Sequence, residues 1–211
     1  NDLSGDCGGV NPPPPPPAPS GDNAVVTTLA SSVDGMTTYQ LHALLFVEQA
    51  NVYALAGTSD TDLVMPAAYQ VAAPFGTHVG GVAPAFFAVN AEAEFDSWLT
   101  VGSVDGTAGA AISSIGLDFD AWTAVAGMTA NNGAVFMMNP ADGPSGGDPI
   151  CLAQVTVTAG SSFSAGGQLQ GQSVSGPDWS STISWDVAGG GGGGGGSLAT
   201  IHVEDHVGAF V

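Results

Sequence analysis

Lysine and arginine are missing altogether from the 211 residues, which carry 19 aspartates and glutamates and four histidines, a formal net charge of -19. About a quarter of an ordinary soluble chain is charged, with both signs present. The acidic count is therefore ordinary and the cations are what is absent. No Lys or Arg ion pair can form, so stability falls to apolar burial, backbone ladders and bound cations. A uniformly negative chain repels nucleic-acid phosphates and has no cations with which to release their counterions, so no nucleic-acid partner is expected. Adsorption to an anionic membrane is excluded on the same ground, and no membrane insertion is expected because no run of 18 apolar residues occurs.

Cysteine is scarce as well. Cys7 and Cys151 are the two present, too few for a disulfide scaffold. One Cys7–Cys151 bridge, pinning the N-terminal tail to the domain, is the expectation in an oxidising compartment. The chain starts at Asn1 rather than Met, as a mature product after signal removal or a fragment would. No Asn-x-Ser/Thr site exists, which removes N-glycosylation. Catalytic signals are thin. The one Gly-x-Ser-x-Gly run, Gly143-Pro144-Ser145-Gly146-Gly147, falls in a Gly/Pro-rich loop rather than at a strand-to-helix elbow, and without Arg or Lys the usual stabilisers of anionic transition states are gone. The His202/His206 pair lies in a strand-like pattern, where positions four apart are about 13 Å from each other, too far to share a zinc ion. No enzyme is expected.

What the chain does contain is organised in four parts. Residues 1–23 form a tail holding six consecutive prolines, Pro12, Pro13, Pro14, Pro15, Pro16 and Pro17. Proline fixes φ and donates no ladder hydrogen bond, so this run reads as a stiff polyproline II rod of about 18 Å. Residues 24–188 read as the domain, 189–196 as a linker of eight glycines, and 197–211 as a tethered strand in which Leu198, Ile201 and Val203 are the assembly candidates. A lone strand on a tether is unstable, so it must pair with a sheet edge, its own or a neighbour's.

Within the domain, hydrophobic residues suffice for a core: they make up 44% of the whole chain. Period-2 patterns recur, with no sustained 3.6-residue period. Residues 37–47 should form a strand with Tyr39, Leu41, Ala43, Leu45 and Val47 on one face. Residues 51–56 should pair with it across a short turn at Glu48, Gln49 and Ala50. Residues 57–92 read as an excursion over the sandwich edge, in which Phe86 or Phe87 plugs the core. Short strands follow at 95–101, 112–119, 134–138, 150–158, 164–172 and 180–187. In the strand 150–158, Cys151, Ala153, Val155 and Val157 should face inward and Gln154, Thr156 and Thr158 outward. Asp105-Gly106, Asn132-Gly133 and Asp142-Gly143 mark turns. Many short strands with Gly-rich turns predict an all-β fold: an antiparallel β-sandwich, jelly-roll or Ig-like, with extended N- and C-terminal tails.

Calcium is the one cofactor expected. It takes six to eight hard oxygens, and Asp60 with Asp62, and Asp118 with Asp120 at a strand end, each set two carboxylates two residues apart. The tryptophans 98, 122, 179 and 185 are expected between the sheets; exposed, they would offer stacking platforms to sugars.

The runs Met65-Pro66-Ala67-Ala68-Tyr69-Gln70, Pro74-Phe75-Gly76-Thr77, Glu94-Phe95-Asp96-Ser97-Trp98-Leu99-Thr100-Val101-Gly102, Asn132-Gly133-Ala134-Val135-Phe136 and Ala153-Gln154-Val155-Thr156-Val157 resemble repeated secreted β-domains of algal surface proteins, over residues 37–172. The proline run is similar to those of hydroxyproline-rich wall and flagellar-hair proteins. The resemblance implies an extracellular location, a structural role and O-linked glycans on the prolines; that family has no assigned activity to carry over. The absence of Lys and Arg departs from its pattern. The expectation is a protomer of an extracellular filament or surface appendage, assembled head-to-tail with other copies of itself by terminal strand or tail exchange. The alternative is a calcium-dependent carbohydrate-binding or adhesion module with glycans as partners.

Overall fold

The computed structural model describes residues 23–107 and 111–189. Among them eleven strands follow in order: β1 (Ala24–Thr28), β2 (Met36–Ala43), β3 (Ala54–Gly57), β4 (Leu63–Met65), β5 (Trp98–Leu99), β6 (Ile112–Ile115), β7 (Met128–Ala130), β8 (Gly133–Met137), β9 (Ile150–Thr158), β10 (Phe163–Gly171) and β11 (Trp179–Val187). They form two antiparallel sheets over a shared core, the arrangement of a β-sandwich. The proline run, Cys7 and the assembly candidates Leu198, Ile201 and Val203 lie outside the described residues.

The smaller sheet has the order β1-β2-β9-β5. In the larger sheet β3 and β4 lie end to end beside β10, pairing with residues 168–170 and with Gly166. Their partners β8 and β7 lie end to end in the same way. The sheet is therefore five strand positions wide: β6, β8 with β7, β3 with β4, β10, and β11. Where β3 gives way to β4, the residues Thr58 to Asp62 pouch outward, closed at the neck by Thr58 N–H to Thr61 O (2.7 Å) and Thr61 N–H to Thr58 O (3.3 Å). Only glycine fits before the pouch, since a Cβ on Gly57 would lie 1.8 Å from Ala130 O.

The predicted 37–47/51–56 hairpin does not exist. The chain crosses between sheets there: β2 pairs with β1 and β9, and β3 with β8 and β10. The strand stops at Ala43, and a turn at Phe46–Gln49 follows, held by Phe46 N–H to the Gln49 carboxamide (2.9 Å). Val47 is consequently 94% exposed rather than inward. The strand foreseen at 95–101 shrinks to the two residues of β5, and β7 was not foreseen. The strand at 112–119 ends at Ile115, so Asp118 and Asp120 sit in a turn rather than on a strand face.

The core between the sheets is built from Leu41, Leu55, Leu63, Leu99, Val135, Leu152, Val155, Leu169, Trp122 and Trp185, each 1% exposed or less. Burying a side chain of this size stabilises by about 1.5–3 kcal/mol. Each buried indole also places its N–H where a carbonyl is free: Trp122 donates to Pro66 O (2.7 Å) and Trp185 to His42 O (2.8 Å).

The outer face of the smaller sheet is covered as well, by a strap running from Pro66 to Ser97. Gln154 and Thr156, expected outward, are 2% and 0% exposed beneath it. The Gln154 carboxamide donates to Glu94 O (3.0 Å) and Asp96 O (2.8 Å), Thr156 Oγ1 donates to Phe95 O (2.6 Å), and Ser97 Oγ accepts Thr156 N–H (3.0 Å). Cys151 also faces the strap, not the core. Leu41 pairs with Ala153 but His42 with Cys151, so Leu152 is an extra residue that shifts the phase of the strand. Cys151 thereby joins Val82, Ala93 and Trp98 in a second apolar cluster, against which Phe75 and Phe87 pack; neither Phe86 nor Phe87 plugs the core between the sheets, since Phe86 is 39% exposed and Phe87 only partly buried.

Candidate functional site

The strap is closed by one carboxylate. Asp96 is 0% exposed; one oxygen accepts Val71 N–H (2.7 Å) and the other Thr77 N–H (2.6 Å), which draws the loop between them into a ring. Burial pushes its pKa up to about 6, although those backbone N–H groups pull the other way. Gly76 is needed beside it, because a Cβ there would meet Val71 O at 1.9 Å and the Asp96 carboxylate at 3.0 Å. Tyr69, at the start of the strap, donates its hydroxyl to Glu92, and that bond raises the phenol pKa to about 12. These groups are engaged with one another and hold the strap down.

The acidic pairs predicted for calcium are exposed and local. Asp60 lies in the pouch between β3 and β4 and accepts Ser59 Oγ (3.3 Å), with Asp62 at the end of the same loop. Asp118 accepts Ala121 N–H (3.2 Å), a turn-closing role, and Asp120 lies close enough to His78 to act on its charge. Among the described residues no three His, Cys, Asp or Glu side chains come together in a way that could hold a metal ion. His78 stacks on Phe119 with ring centroids 5.0 Å apart, and burial lowers its pKa. His42, under the sheet, has a ring nitrogen 3.2 Å from Gln40 O and is likewise lowered by burial. Burial raises the Cys151 thiol to about 12, and its Sγ lies 3.6 Å from Ala153 O; the proposed partner Cys7 lies outside the described residues. Trp98, Trp122 and Trp185 are at most 2% exposed, and Trp179 gives its N–H to Asn51 O and Gln172 O, so none of these three buried indoles is a platform for sugars.

What the surface does offer is sheet edge. β1 pairs only with β2, β6 only with β8, and β11 only with β10 among the described residues. β11 is the longest of these, nine residues in unbroken register with β10 from Phe163↔Val187 to Gly171↔Trp179. It holds no bulge, no proline and no lysine, but it carries Asp186, and β1 of the other sheet comes within 8 Å of part of it. Ser181, Ile183 and Trp185 point inward and are buried, while Ser180, Thr182, Ser184 and Asp186 point out.

The described chain begins, at Asn23, and ends, at Gly189, at opposite ends of the sandwich. Asn23 O accepts Leu44 N–H (2.8 Å), beside Ala43, which pairs with Ile150 at the start of β9. Gly189 packs against Gly160, in the turn just after Thr158 at the far end of β9. Nine residues of strand separate the exits, about 26 Å. Sequence patterning did not reveal these edges, because an edge is a property of strand order and not of any one segment.

No family model, no curated protein and no solved structure matches this chain.

Proposed function

We propose that the chain is a structural, non-catalytic protomer of an extracellular filament or surface appendage, its copies joined head-to-tail through their terminal extensions. The observation that carries this is the placement of the two exits at opposite ends of one rigid sandwich, about 26 Å apart. Connectors at opposite ends make a heterologous contact, which propagates instead of closing. The outer side of β11, paired with no strand among the described residues, adds a surface on which a strand could be received. The finer description of the sandwich as jelly-roll or Ig-like belongs to the same proposal, as does calcium at the exposed carboxylates. In the order β1-β2-β9-β5, β9 lies between strands distant from it in sequence, a long-range pairing that supports this reading.

The test is deletion of residues 197–211. The full chain should form fibres in negative-stain electron microscopy, and the truncated chain should remain as single particles with an unchanged circular dichroism spectrum. Fibres from the truncated chain would remove the C-terminal strand from the joint.

A further inference from the structure

We infer that the outer edge of β11 is the acceptor of the joint, and that residues 198–203 of the next copy lie along it in the parallel sense. This rests on the head-to-tail reading above. The direction follows from the exits. β11 runs toward the Gly160 end, since Val187 pairs with Phe163 there. In a head-to-tail stack the Gly160 end of the donor meets the Asn23 end of the acceptor. The donated strand must then run from the Asn23 end to the Gly160 end, the sense of β11 itself. A copy pairing with its own β11 does so most readily in the antiparallel sense, as a hairpin. To lie parallel it would first have to return along the whole strand. Residues 188–197 reach at most about 34 Å when fully extended, which is enough for that return, so the cross-linking test below distinguishes exchange between copies from self-closure.

Side chains select the edge and the register. Ile201 and Val203 share a face at period 2, and in the donated strand they would continue the inward face of Ser181, Ile183 and Trp185. Placing Ile201 beside Trp185 sets Val203 beside Val187 and Thr200 beside Ser184. It also sets His202 beside Asp186, the one charged side chain of β11, and carries Glu204 past the strand end. A shift by two residues would put Glu204 against Asp186 instead, a like-charge pair that is unfavourable across strands. β1 and β6 offer only five and four residues of edge.

The test uses full-length chains carrying Cys7→Ser. Copies with Ser184→Cys are mixed with copies carrying Thr200→Cys, oxidised gently, and run on a non-reducing gel. Parallel mixtures use Thr27→Cys for β1, Ser114→Cys for β6 and Ser180→Cys for the far end of β11. The Ser184/Thr200 pair should give at least tenfold more covalent dimer than any other. A dominant link to position 27, 114 or 180, or a 184–200 link formed only within one doubly substituted chain, would overturn the assignment. Electron microscopy of the same samples separates the two levels. Fibres with the wrong cross-link refute this acceptor alone, whereas no fibres from the unsubstituted chain refutes the head-to-tail reading itself.

Discussion

Asp96 ties together what the charge composition and the fold each impose. It is a carboxylate with no cation to meet, folded under a strap where three backbone N–H groups replace the missing partner. Burial outweighs those bonds, so its pKa rises from 3.8 to about 6. A folded-state pKa above the unfolded one means that the native state binds the proton more tightly. The contribution is fully present below about pH 4 and is lost as pH rises through about 6. A shift of this size corresponds to about 3 kcal/mol. Urea unfolding should accordingly show stability increasing from pH 7 toward pH 4, and Asp96→Asn should flatten that gain; a wild-type curve that falls over this range contradicts the argument. Gly76→Ala tests the same ring sterically. Its Cβ would meet Val71 O at 1.9 Å, so a loss of about 2–3 kcal/mol is expected, read as a lowered urea midpoint.

Strands and their connections were legible in the sequence to different depths. β9, β10 and β11 stand where alternation put them, within one residue; in β10 and β11 one face is buried and period 2 survives, whereas β9 is buried on both faces. The reading failed where a neighbour outside the strand decided burial. Gln154 and Thr156 look like outward residues, and only the strap, which has no periodicity of its own, makes them inward. The phase shift at Leu152 is likewise silent in the sequence, since Cys151 and Leu152 are both apolar and either could face the core. The turn at 46–49 read as a hairpin because loop length alone does not distinguish pairing from a crossing between sheets. The acidic loops were found, but as separate exposed turns. Gln154→Leu tests the strap as an element: it strips two carbonyls, Glu94 O and Asp96 O, of their donor. The expected cost is about 2–4 kcal/mol, and amide exchange in residues 71–97 should accelerate far more than in β10. Uniform acceleration across both would place the defect in the sandwich instead.

Over the whole molecule, 19 acidic groups face no compensating lysine or arginine. Self-repulsion then opposes compactness at neutral pH, and salt relieves it within a screening length of about 8 Å at physiological ionic strength. The melting temperature should rise steadily between 10 mM and 500 mM sodium chloride at pH 7, and the rise should shrink at pH 4. A salt-independent melting temperature would mean that bound cations already neutralise the surface. The same repulsion acts between copies, so fibre growth should be faster at higher salt or lower pH. Growth that slows under those conditions would point to a joint made by charge rather than by strand and apolar contact.

The pouch at Thr58 to Asp62 has a practical corollary. Its ends are held by their own main-chain bonds, and its tip, at Ser59 and Asp60, stands free of both sheets. A foreign epitope spliced between Ser59 and Asp60 should leave the flanking register Ala54↔Phe136 and Met65↔Met128 undisturbed. If copies do stack with a fixed repeat, such grafts would stud the polymer at even intervals, turning the chain into a scaffold for ordered display.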